Sequence, residues 1–204
     1  VANGSDIDEV SDLLGKRIPS QFTAQAIIGV FQEALLANGG LSMTDLDGVP
    51  VSNFIDGVEM LGNGRVDAAL IPPGTGVAQR ANADLSGRDG LRFLSLDDSP
   101  EAVERMQAVV PVATVDTMEP APGLPGIIGP TNVLRHPYWL IGGAHLDEEF
   151  VYELVKAMDA NKGLLADSFG PFRGFTAEGM HVEHESVPYH PGALRYYREI
   201  GVVE

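Results

Sequence analysis

Apolar side chains recur along this chain at two spacings, and the two predict different elements. Ala24, Ile27, Ile28, Phe31 and Leu35 fall at i, i+3, i+4, i+7 and i+11, the single stripe of an amphipathic helix. Gly39-Gly40 is the expected stop. Before that stripe, Arg17-Ile18-Pro19 reads as a short extended piece. After it, Gly48-Val49-Pro50-Val51 reads as a strand. Asn53 stands as the N-cap of a helix with Phe54, Val58 and Leu61 on one face, closed by Gly62 and Gly64. Asp67-Ala68-Ala69-Leu70-Ile71 is a short run expected as a buried strand, and Pro72-Pro73-Gly74-Thr75-Gly76 follows it. Thr75 is placed to cap a helix running to about Leu85. Leu91 to Leu96 reads as the next strand. Ser99-Pro100-Glu101 joins a cap, a proline at the first helical position and an acid in the first turn.

The resulting β-α-β-α-β-α-β order predicts an α/β fold, a doubly wound and mainly parallel sheet with helices on both faces. Pro and Gly then gather in Glu119-Pro120-Ala121-Pro122-Gly123-Leu124-Pro125-Gly126, which reads as an exposed connection. Tyr138-Trp139-Leu140-Ile141 is apolar and expected to be extended. The last third is helical. Asp147-Glu148-Glu149 opens a helix with Phe150, Val151, Leu154, Val155 and Met158 on one stripe, ended by Gly163. A final helix starts at Pro191 and carries Ala193, Leu194, Tyr197 and Ile200. The expected division is an α/β lobe over residues 1–126, then a returning connection and C-terminal helices over 127–204.

Charge narrows the partners. The 13 basic residues face 29 acidic ones, a net charge of -16. Such a surface repels phosphate backbones and anionic membranes, so nucleic acid is excluded as an expected partner. Lysine occurs only at positions 16, 156 and 162, which fits either a saline habitat or a genomic base-composition bias. There is no cysteine, which removes disulfides, thiolate metal sites and cysteine nucleophiles together. The first residues, Val1-Ala2-Asn3-Gly4-Ser5, lack an initiator Met and a signal-peptide pattern, so the start reads as processed or as part of a longer protein.

Several strings invite a chemical reading. Gly62-Asn63-Gly64 lacks the third glycine of a dinucleotide fingerprint and leads into a strand, so it reads as a helix stop. Pro72-Pro73-Gly74-Thr75-Gly76 has no Gly-Lys-Ser/Thr after it, so no nucleotide loop is expected. Two readings stand for it: a capped turn, or a helix N-terminus that meets an anion. Ser20-Gln21-Phe22-Thr23 occupies the matching place after the first strand, either as a cap with a buried Phe22 or as a polar surface for a small molecule. His181-Val182-Glu183-His184 fits neither zinc pattern, and no metal or cofactor is expected. No nucleophile or paired-acid arrangement accompanies the histidines, so no enzyme is expected. An enzymatic alternative would rely on His190 or Asp67 as acid or base.

Val187-Pro188-Tyr189-His190-Pro191-Gly192-Ala193-Leu194-Arg195-Tyr196-Tyr197-Arg198-Glu199 is the most distinctive string. It resembles the ending of the TAXI-type solute receptors of tripartite ATP-independent periplasmic (TRAP) transporters, which close on Pro-x-His-Pro-Gly-Ala…Tyr-Tyr-x-Glu-x-Gly. Asp12-Leu13-Leu14-Gly15-Lys16-Arg17, Gly64-Arg65-Val66-Asp67-Ala68 and Phe150-Val151-Tyr152 are similar, in order, to three further landmarks of that family. Two features depart from it. Nothing corresponds to the family's N-terminal lobe, and its Gly-Ser-Gly-Thr-like ligand loop is replaced by Ser20-Gln21-Phe22-Thr23.

The resemblance implies one lobe of a type II periplasmic-binding-protein fold with C-terminal helices. It implies a periplasmic receptor that captures a small organic acid or amino acid and hands it to membrane permease subunits. The alternatives are a small-molecule enzyme or a sensory module on a similar fold. Ligands of open α/β sheets sit beyond the carboxyl ends of strands, which selects Gln21, Phe22, Thr23, Asn53, Pro73, Gly74 and Thr75 as the ligand-binding residues. Without a partner lobe, Phe22, the Pro72-Pro73 edge and Trp139 are expected to face solvent or another molecule, with weak solute binding and self-association of the chain.

Overall fold

Arg17–Ser20 (β1) and Asp47–Pro50 (β2) pair in parallel, with Arg17 opposite Asp47 and Ser20 opposite Pro50. The helix between them, α1, spans Ala26–Asn38. The computed structural model describes residues 1–168, 170–182 and 187–204. Within it Asp67–Ile71, the expected third strand, makes one backbone bond to β1, from Asp67 N–H to the Arg17 carbonyl at 2.8 Å.

The reason lies in β1. The carbonyls of Lys16 and Ser20 face β2 and accept from Asp47 and Val51 at 2.9 and 3.0 Å. Arg17 and Pro19 therefore turn their polar groups to the other flank. Pro19 has no N–H to give, and its carbonyl already accepts from Gln32 Nε2 at 2.8 Å. A third strand finds only Arg17 to pair with. Val66, Ala68 and Ile71 are still buried, so the apolar run packs without forming a ladder.

The expected strand over 91–96 is divided in a similar way. Arg92 N–H goes to the Val1 carbonyl, Phe93 N–H to Gly126 and Leu96 N–H to Asn132. The Asn132 N–H, in turn, is taken by the Ser95 hydroxyl at 3.0 Å. Beyond it Thr114–Met118 (β3) and Thr131–Arg135 (β4) pair antiparallel. Among the described residues the strands form two separate two-stranded sheets, one parallel and one antiparallel, where a doubly wound, mainly parallel sheet was expected.

Helices α2 (Phe54–Gly62), α3 (Gly76–Asp84) and α4 (Pro100–Val109) begin at the anticipated caps, Asn53, Thr75 and Ser99. The stripe of α1 is displaced from expectation. Ala24 precedes the helix and Ile27 is exposed, while Gln32, Ala34, Leu36 and Asn38 are buried. Two of these are polar, and each carries its hydrogen bonds inward. Ile18, Ala34, Leu36, Ala68, Leu96 and Met106 lie in one core. Val58, Leu61, Val66, Ala78, Ala81 and Leu85 lie in a second, where α2 meets α3.

The chain divides into two compact units, Val1–His136 and Pro137–Glu204. Residues 127–136, taken above with the returning connection, belong to the first unit through β4. The second unit contains α5 (Glu148–Ala160), α6 (Lys162–Ser168) and α7 (Pro191–Glu199). Val151, Tyr152 and Val155 of α5 pack against Ala193, Tyr196 and Tyr197 of α7. Burying each large apolar side chain contributes roughly 1.5–3 kcal/mol. Phe150 and Leu154, on the same expected stripe, stay exposed. Gly192 permits the close approach, since a Cβ there would lie 2.3 Å from the Glu148 carbonyl oxygen. Among the described residues no helix is long and apolar enough to cross a membrane.

Candidate functional site

The carboxyl ends of β1 and β2 share one edge because the strands are parallel. At the first, the chain turns through two consecutive left-handed residues, Gln21 (φ 67°) and Phe22 (φ 42°). Neither is glycine, so the turn is strained. Phe22 N–H donates back to the Ser20 carbonyl at 2.8 Å. The turn drives the Phe22 ring inward, where it is 1% exposed. The expectation that Phe22 faces solvent is corrected here: its ring fills core space beside Gly29 of α1. Gln21 and Thr23, on either side, are exposed.

The loop after β1 lies against the loop after β2. Thr23 N–H donates to the Val51 carbonyl at 3.3 Å and Ala24 N–H to Ser52 at 2.8 Å. Phe54 N–H, at the start of α2, donates to Gln25 Oε1 at 3.1 Å. Asn53 Oδ1 accepts from Asp56 N–H at 3.1 Å, and its amide donates to the Asp56 carboxylate at 3.0 Å. The α2 N-terminus thus has two of its N–H groups filled from within the chain.

Pro73, Gly74 and Thr75 precede α3. Among the described residues no hydrogen bond joins them to the other two loops. The Thr75 hydroxyl accepts from Ala78 N–H at 3.3 Å and donates to the Pro72 carbonyl at 2.8 Å. Gly74 has φ 71°, and a Cβ there would lie 3.0 Å from Leu124 Cδ2. Of the seven expected residues, Gln21, Phe22, Thr23 and Asn53 are therefore brought together. Pro73, Gly74 and Thr75 are not hydrogen-bonded to them and head a helix that packs on α2. Asn53 and Thr75 spend their polar atoms as caps, while Gln21 and Thr23 present theirs outward.

Gln25 escaped the sequence reading. Its partner Phe54 lies 29 residues away, beyond the reach of any local capping pattern.

The two side chains an enzymatic reading would use are engaged elsewhere. Asp67 accepts from Arg17 Nε at 3.0 Å, Arg17 Nη2 at 2.6 Å and the Arg17 backbone N–H at 2.9 Å. The hydrogen-bonded guanidinium holds its carboxyl below the usual carboxylate range, against an opposing push from partial burial. This junction is where Gly15-Lys16-Arg17 meets Gly64-Arg65-Val66-Asp67. His190 Nδ1 accepts from Gly192 N–H and Nε2 lies 3.2 Å from the Leu146 carbonyl. Its imidazole is the N-cap of α7. The His181 and Tyr189 rings lie tilted at 31° with centroids 4.6 Å apart, while Glu183 and His184 of the same string lie outside the described residues.

Residues 1–201 match the model of the NMT1-like family. The chain belongs to that family. The NMT1-like family is periplasmic-binding-protein-like, which places the chain broadly among solute-binding proteins. No curated protein matches the chain.

Proposed function

We propose that this chain is the solute-capturing component of a TRAP-type secondary transporter. It would work outside the cytoplasm and deliver a small organic acid or amino acid to membrane permease subunits. The match to the NMT1-like family over residues 1–201 carries the reading. The resemblance at His190-Pro191-Gly192-Ala193 and at Gly64 to Ala68 supports the narrower assignment to TAXI-type receptors. Gln21 and Thr23 would touch the solute directly, with Phe22 fixing the turn beneath them and Asn53 the adjoining helix start. Pro73, Gly74 and Thr75 would supply a further part of the rim. A non-catalytic role agrees with the commitment of Asp67 and His190 to structural hydrogen bonds.

Mass spectrometry of small molecules retained after native purification tests this. A carboxylic acid or amino acid should be found and should rebind in calorimetric titration. Gln21→Ala and Thr23→Ala should each weaken that binding about tenfold, the effect of losing a hydrogen bond to a charged group. Turnover of the retained molecule, lost in His190→Ala or Asp67→Asn, would replace the receptor reading with an enzyme.

A further inference from the structure

We propose that Gln25 is the positioning residue of the rim. It joins the loop after β1 and the start of α2 into one element that opens and closes as a unit.

Among the described residues three hydrogen bonds cross between the two loops. Two are backbone bonds, from Thr23 to Val51 and from Ala24 to Ser52. The third is the Gln25 side chain accepting from Phe54 N–H at 3.1 Å. The Gln25 backbone closes the same turn from the other side, donating to the Phe22 carbonyl at 2.8 Å. One residue thus grips both the strained Gln21-Phe22 turn and the first N–H of α2. That turn needs such a grip. Two non-glycine residues in left-handed conformations persist only where surrounding bonds over-determine them. Beneath it, the buried Phe22 ring fixes one anchor. The other anchor is the α2 N-terminus, which Asn53 and Asp56 hold rigid through their paired side chains. Gln25 bridges the anchors. Its bond also fills the N–H that a carboxylate would otherwise meet at α2, so it shapes which polar groups the rim leaves outward, chiefly those of Gln21 and Thr23.

The role in solute capture rests on the proposed function. The coupling of the loops does not, and it is measured without solute. The experiment is amide hydrogen exchange on the full chain, read at Thr23, Ala24 and Phe54. In the unaltered chain the three amides should share one opening equilibrium, as members of one cooperative unit do. Gln25→Leu keeps the bulk and removes the acceptor. It should speed exchange at Phe54 about tenfold and at Thr23 and Ala24 at least about fivefold. Gln25→Glu keeps an acceptor at the same reach and should restore all three to within about twofold. Should Gln25→Leu not fold, Gln25→Asn, one methylene too short, gives the same reading. Faster exchange at Phe54 alone would overturn the proposal, because Gln25 would then be a simple cap. So would Gln25→Glu behaving like Gln25→Leu. Failure to find a retained solute would count against the proposed function and leave this result standing.

Discussion

Residues 137–204 and residues 1–136 solve the same problem by different means. In the C-terminal unit, α5 and α7 satisfy their own backbones and meet side chain to side chain. The Arg195 guanidinium lies 3.8 Å from the centre of the Tyr152 ring, whose hydroxyl donates to Glu199. Tyr196 donates to Asp159 at 2.7 Å, a bond that pushes its phenol up to about 12. Burial does the same for Tyr197. In the N-terminal unit, the decisive bonds run from side chains to backbone. Asp67 takes the Arg17 N–H, Gln32 reaches the Pro19 carbonyl, and Arg88 reaches the carbonyls of Leu61 and Gly62. Asn38 binds both the N–H and the carbonyl of Asp97. Where the sheets stop short, polar side chains stand in for the missing ladder. Helices need packing from their neighbours; truncated sheets need hydrogen-bond partners as well.

The largest effect should fall on the helix pair. Gly192→Val places a branched side chain where even a Cβ would lie 2.3 Å from the Glu148 carbonyl and 2.9 Å from the Tyr152 nitrogen. Backbone on both sides leaves no flexible group to yield. A loss of about 3 kcal/mol or more is expected in urea unfolding, with amide exchange of α7 accelerated first. Protection of α7 at its usual level would mean that close packing is not what holds this unit.

Asn38→Ala tests the other unit. Asn38 is fully buried, and its loss strands the N–H and carbonyl of Asp97. Asp97 itself is exposed, so water can reach its two groups. Two net hydrogen bonds at roughly 0.5–1.5 kcal/mol each give an expected loss of about 2 kcal/mol, with α1 and α4 opening together. An effect below about 1 kcal/mol would show that the side-chain-to-backbone bonds are incidental.

These residues also explain what the sequence could and could not disclose. The caps at Asn53, Thr75, Ser99 and Asp147, and the start at Pro191, were legible because a capping signal and its N–H lie within four residues. The strand expected at 67–71 was not, because its failure is decided by Pro19 and Gln32, some 50 and 35 residues upstream. Its composition does suit a strand; only the facing backbone is missing. Gln25, Gln32 and Asn38 gave no local sign for the same reason. At the rim, the exposed Gln21 and Thr23 were foreseen as a polar surface. The inward Phe22 was one of two readings open from the sequence, and what decides it is a left-handed turn that glycine would have announced and glutamine does not.

Asp67→Asn should have a smaller effect, and it carries a pH signature. Arg17 and Asp67 are 43% and 28% exposed in their side chains, so solvent screens much of their attraction. A loss of about 1–2 kcal/mol at pH 7 is expected, since asparagine retains an acceptor for only part of the set. The folded carboxyl titrates below its unfolded value. Its contribution is therefore complete above the unfolded value of about 4 and is lost as the pH falls through the lower folded value. Urea midpoints at pH 7 and pH 3 should show the gap between the two proteins narrowing in acid. A gap that widens toward low pH would mean that the folded state favours the protonated acid.

The smallest effect, and one of opposite sign, belongs to Gln21→Gly. Gln21 holds φ 67° immediately before Phe22 at 42°. A left-handed conformation costs an L-residue roughly 1–2 kcal/mol, and glycine relieves it. Against this, glycine loosens the unfolded chain by about 0.4–1 kcal/mol. Gln21 is exposed, so little packing is lost with its side chain. Strain relief exceeds the entropic loss, and a gain of about 0.5 kcal/mol is expected in urea unfolding. Gln21→Ala keeps the strain and should stay within about 0.5 kcal/mol of the unaltered chain. The pair isolates the backbone from the side chain. If the glycine variant were the less stable of the two, the left-handed turn would not be strained, and the rim would owe its shape to contacts of the glutamine itself.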